Sequence, residues 1–186
     1  MKKYCFLILS IFVLSIFVSD VISAEKRSKR TPAKVVPQKE PVTINDGNVE
    51  INLKKAEDLL KKEDYSRASE ICEVVYEFSK NVLKVVEIVD EKQKQALEGR
   101  SLDQRSKELL MWKAKRRENL KSRYSEYLAR SAYCLGYINA QKNDMESAGK
   151  YLIDAIKNAP VSDKPDSLYL KSLNLLAKLY SLEGEL

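Results

Sequence analysis

An all-α fold is what the sequence predicts, on three observations. Its 186 residues include only five Gly and five Pro, too few for an all-β chain with many tight turns. The rest is rich in Leu, Lys, Glu, Ala and Ser, residues that tolerate helices. And apolar residues recur at three- and four-residue spacing, as in Ile71, Val74, Val75, Phe78, Val82, Val85, Val86 and Val89, the mark of one helix face. The chain also has no histidine. Schemes that need an imidazole base, a Ser-His or Cys-His pair or a His-ligated metal are therefore excluded.

Residues 1–24 read as a targeting segment. Lys2 and Lys3 precede an apolar stretch from Tyr4 to Val18, and Ile22-Ser23-Ala24 leads into polar Glu25-Lys26-Arg27. That is the basic, apolar and small-residue layout of a secretory signal peptide. Read on through Val21 and Ile22, the stretch is nearly long enough for a retained membrane anchor, with Asp20 inside it. Cys5 sits within the apolar stretch, which disfavours a lipoprotein site.

Residues 25–48 hold Pro32, Pro37 and Pro41, six Lys/Arg and three Asp/Glu, with few large apolar side chains. Such a stretch reads as a disordered basic tether, whose cations could touch anionic lipid or cell-wall polymer. Beyond it, residues 49–186 carry 25 Lys/Arg and 23 Asp/Glu, so most of the chain's +6 charge lies near the amino terminus.

The helical part repeats. From Ala129 to Pro160 small residues fall at Gly136, Ala148 and Ala155, with Leu135 and Leu152 beside them, Asn143-Asp144 between and Pro160 at the end. The spacing suits two antiparallel helices crossing at Gly136 and Ala148, where larger side chains would force the backbones apart. Asp144 caps the second helix and Pro160 ends it. The pattern resembles the tetratricopeptide repeat.

A weaker copy covers residues 49–80, with Ala56, Asp64-Tyr65 and Ala68 at the equivalent positions and Val75 and Lys80 departing from the pattern. Lacking the terminal proline, its second helix runs on. The expected architecture is two very long antiparallel helices, about 65–98 and 102–142, whose distal parts, residues 81–128, project as a hairpin. Ser101-Leu102-Asp103-Gln104 reads as the capping box of the second. A third partial copy places Leu176 and Ala177 at the positions of Leu135 and Gly136 and a turn at Gly184-Glu185-Leu186, making residues 166–183 a terminal capping helix. The full expectation is an all-α stack of tetratricopeptide-like hairpins, an α-solenoid, carrying a long projecting hairpin, with copies at 49–80 and 129–162.

The resemblance also implies a binding surface. In such repeats the first helices line a concave groove, and the matching positions here are Arg130, Tyr133, Tyr137 and Gln141, then Lys171, Asn174 and Lys178 on the terminal helix. The carboxylate-clamping variant of that groove is not matched, since its Lys and Asn places hold Leu53 and Glu57.

Other features carry less chemistry. Six cations and one acid lie between Lys113 and Arg123, behind Trp112. They read as a solvated face or a docking surface, with Trp112 as hairpin core. Cys72 and Cys134 sit among apolar neighbours and read as buried thiols, although an exported chain would permit a bridge between them. No Cys-x-x-Cys, glycine-rich nucleotide loop or nucleophile elbow is present.

The expected function is a non-enzymatic scaffold that binds a protein partner in the cell envelope or periplasm, with no cofactor, no metal and no nucleic acid. The alternatives are a membrane-anchored adaptor and a self-assembling structural protein. Leu170 and Leu173 fall off the main leucine stripe of the terminal helix, which predicts an uncovered strip suited to a homodimer contact.

Overall fold

A computed structural model describes residues 43–98, 103–182 and 184. The targeting segment, nearly all of the tether, Ser101 and Leu102 lie outside the described residues, and so does most of the turn expected at 184–186. Five helices follow in order: α1 (Val49–Lys61), α2 (Tyr65–Leu97), α3 (Gln104–Gln141), α4 (Met145–Asn158) and α5 (Leu168–Leu179). Among the described residues there is no strand, and no helix long and apolar enough to cross a membrane.

Two tight turns, eighty positions apart, share one geometry. Glu63 and Asn143 each adopt φ 60°. The Asp64 amide donates to the Leu59 carbonyl, and the Asp144 amide to Asn139, both at 3.0 Å. Each aspartate then caps the next helix, accepting from the amides of Arg67 and Ser147. The Ser147 side chain, and after it the Ser147 amide, hold the Asp144 carboxyl below its usual range. A third left-handed residue, Ser181 (φ 56°), follows α5, where the Leu182 amide donates to Ala177 at 2.8 Å. The third turn therefore comes at 180–182, earlier than the sequence spacing suggested. The helix before it is shorter than 166–183 and is capped by Ser167. Likewise α3 starts under Asp103, which accepts from the Ser106 amide, so Asp103 and not Ser101 is the cap. Asp103 is the better acceptor because a carboxylate meets the partial positive charge of a helix start.

The helices pack as neighbours in sequence: α1 on α2, α2 on α3, α3 on α4 and α4 on α5. In addition, α1 and α5 both touch α3. Leu53, Cys72, Val75, Tyr124, Ala132 and Leu135 form the centre of one core. Gly136 is where α3 meets α4. A Cβ there would lie 2.8 Å from Leu152 Cγ, so only glycine permits this approach. A similar contact missed in the sequence is Gly149, against which the Tyr180 hydroxyl rests. Cys72 and Cys134 are buried and unbridged. A hydrogen bond to Cys134, together with burial, pushes the Cys72 thiol up.

The long pair α2 and α3 changes character along its length. Phe78 meets Tyr124 in the proximal half, whereas Arg117 bonds Asp90 and Gln93 further out. Beyond Val86 on α2, and before Tyr124 on α3, no described residue is fully buried. The predicted valine stripe divides accordingly, with Val75 and Val86 inside but Val85 59% and Val89 43% exposed. Trp112 is 55% exposed, not hairpin core, because two helices alone cannot cover the outward face of α3. Leu170 and Leu173 are half-buried and do not form a bare strip. The packing of α5 on both α3 and α4 covers more of its circumference than a single-sided contact would.

Two buried phenols bridge helices. The Tyr124 hydroxyl donates to Asp46 and that of Tyr76 to Asp154, each at 2.6 Å. Burial, then the neighbouring carboxylate, pushes Tyr124 up to about 12, and Tyr76 moves in the same direction for the same reasons. A raised folded-state pKa stabilises the fold below the free tyrosine value of about 10 and ceases to do so as pH rises through the folded value. Urea midpoints are therefore expected to fall between about pH 10 and 12 on the tyrosines' account, adding to a decline that the raised Cys72 thiol begins near its free value of about 8.5. In Tyr124→Phe the fall should be shallower. A profile unchanged in that variant would remove Tyr124 from the account.

Candidate functional site

The parallel packing of α1 and α3 is set by charge as well as by apolar contact. Arg130 on α3 grips Glu57 on α1 with two parallel bonds, Nε and Nη2 donating at 2.8 and 2.9 Å. A planar guanidinium matches a carboxylate in this way, and the pair is largely shielded, with side-chain exposures of 19% and 29%. Glu126, 3.6 Å from Nη1, adds a second carboxylate. The hydrogen bond to Glu57 raises the Arg130 pKa further, so the cation is permanent.

Where α5 begins, a cleft of about 280 Å³ opens beside this pair. Its walls are Leu60 and Lys61 of α1, Tyr133 of α3, and Asp166, Leu168 and Lys171 at the start of α5. Three helices that are not consecutive in sequence thus meet along one line. α1 and α5 both pack on α3, which brings residues of all three to one cleft.

Of the sequence-predicted residues, Arg130, Tyr133 and Lys171 line the cleft. Tyr137 stands next to it, 6.5 Å from Tyr133 and 6.5 Å from Tyr65, centroid to centroid. Gln141, Asn174 and Lys178 are exposed on the same helices but do not line the cleft. Two roles change. Arg130 spends its donors on Glu57 and Glu126 and so builds the wall instead of offering a free cation. Tyr133 packs against the core, and its burial pushes the phenol up, so its ring is only partly available. Lys171 is exposed, and among the described residues it forms no ion pair.

Glu57, Lys61, Asp166 and Leu168 were missed as site residues. A signal for Glu57 existed: it occupies a groove position of the first copy, and a cation, Arg130, occupies one in the next. Asp166 lies on the connecting segment and Leu168 opens α5, and periodicity cannot fix the path by which that segment delivers them. Chemically the cleft offers an apolar floor, an aromatic edge and charges of both signs. Among the described residues no group of three or more Cys, Asp or Glu is placed to hold a metal.

Comparison with protein-family models, curated proteins and solved structures gives no match for this chain. The reading of the cleft rests on its own geometry.

Proposed function

We propose that this chain is a non-enzymatic protein-binding scaffold of the tetratricopeptide kind, which holds a segment of a partner protein in the cleft between α1, α3 and α5. The observation that carries the reading is the pair of matching turns at Glu63-Asp64 and Asn143-Asp144, eighty positions apart. Repeated hairpins place alternate helices side by side, and a stack built so presents one extended face. Tyr133, a residue type that anchors interfaces, and the exposed Lys171 line that cleft. The amino-terminal layout supports export to the periplasm or cell envelope, with a membrane-anchored adaptor as the form in which residues 1–24 are retained. A mature chain beginning at Glu25 would decide between the two.

The exposed cations make the cleaner test. Lys61→Glu with Lys171→Glu reverses charge at the rim without disturbing the core. Recovery of partner protein from a native envelope extract is expected to fall at least about tenfold, the equivalent of about 1.4 kcal/mol, with the melting temperature nearly unchanged. Equal recovery by the variant would remove the cleft as the binding site. Tyr133→Ala is less informative because it also opens the core.

A further inference from the structure

The α1–α3 contact shows what the outer face of α3 is built to receive. Asp46, ahead of α1, accepts from Arg123 Nη2 and from the Tyr124 hydroxyl, both at 2.6 Å. On α1 itself, Glu50 accepts from Tyr127 at 3.4 Å, and Glu57 accepts from Arg130. A row of carboxylates on one segment thus meets a row of cations and phenols on α3, beside the core that holds Leu53.

The row on α3 does not stop where α1 does. Counting back from Arg130 in sevens gives Arg123, Arg116 and Leu109, and a seven-residue step keeps nearly the same face of a helix. Trp112 lies four residues before Arg116, whose guanidinium sits 4.9 Å from its ring centroid. Immediately past the Asp46–Arg123 pair a cleft of about 460 Å³ is lined by Arg116, Asn119, Leu120 and Arg123, together with Arg117. Trp112 is 55%, Leu109 51% and Met111 71% exposed. No carboxylate among the described residues pairs with Lys113, Lys115 or Arg116.

We infer that the distal half of α3 is a second docking surface, for an acidic amphipathic helix of a partner protein that continues the line of α1. Charge complementarity and continuity with the α1–α3 contact both select that occupant. The chain's own preceding segment is a poor fit, since residues 25–42 carry six Lys/Arg against two Glu. The mixed-charge cleft on the other side of the hairpin, beside Glu87, Asp90 and Lys94, lacks this one-sign row.

Trp112 is the chain's only tryptophan, so its fluorescence reports this surface alone. The probe is a synthetic helical peptide of about 20 residues, long enough to span about 30 Å, with Glu and Leu arranged on one face. Titrated into the full chain, it should produce a saturable blue shift as Trp112 is covered. Replacing the peptide's Glu by Gln should abolish the shift. Arg116→Glu in the chain, with helicity unchanged, should weaken binding at least about tenfold. Lys171→Glu, in the other cleft, should leave the shift intact. The inference is overturned if the acidic peptide produces no saturable shift. It is equally overturned if only phosphatidylglycerol vesicles produce one, which would make the surface a membrane contact, or if raising the chain's own concentration does so without peptide.

Discussion

Gly136→Leu is expected to lower stability by about 3 kcal/mol or more, the upper end of what overpacking does. Gly136 is buried against Leu152, itself 0% exposed, and even a methyl group would come within 2.8 Å of its side chain. The backbone amide of Leu152 is only 3.3 Å away, so neither helix can yield by a side-chain rotation alone. Separating α3 from α4 would also move Ala148 and Ala155, both fully buried. Urea unfolding followed by circular dichroism measures the loss. A midpoint equal to that of the parent chain would show that α3 and α4 do not cross at this glycine.

Tyr124→Ala should be comparably damaging, at about 3–5 kcal/mol. Tyr124 is 1% exposed, meets Phe78 and Tyr127 edge-on at centroid distances of 5.8 and 5.5 Å, and ties α3 to the segment before α1 through Asp46. Removing the ring leaves a cavity where α2 and α3 join and also leaves the Asp46 carboxylate with Arg123 alone of its two α3 partners. Tyr124→Phe retains the packing and loses only the hydroxyl, so its deficit should be about 1 kcal/mol. The difference between the two variants separates cavity from hydrogen bond. Near-equal losses would mean that the ring itself contributes little.

Both residues show how unevenly sequence reading works. Gly136 was found because steric necessity leaves a mark on composition: a glycine inside a helix, opposite small residues, has few other reasons to be there. Gly149 is the same kind of position, yet its neighbour Tyr180 belongs to the turn after α5, and nothing in the spacing brings the two together. Tyr124 carries no local signal. Its hydroxyl partner Asp46 is 78 positions away.

Caps behaved similarly. Asp64 and Asp144 were legible because a cap acts within three residues of itself. At α3 the expected capping box began at Ser101, whereas the cap is Asp103, whose carboxylate accepts from the Ser106 amide. Trp112 was misread because apolar character was taken to mean burial. Among the described residues no third layer buries it on this two-helix stretch, and its ring faces Arg116 instead.

By itself, then, the sequence determined the helical class, the reversals before Asp64 and Asp144 and the glycine at which α3 and α4 touch. These depend on interactions within a few residues or on a size limit at one point, and such constraints are written into spacing. Tertiary structure alone decided that Glu57 meets Arg130, that Lys61, Tyr133 and Lys171 share a cleft, and that Arg116 and Trp112 are left uncovered. Those outcomes depend on which helices become neighbours and where the shorter one ends. A repeat pattern suggests the neighbours but not the register between them, and it is the register that pairs one side chain with another.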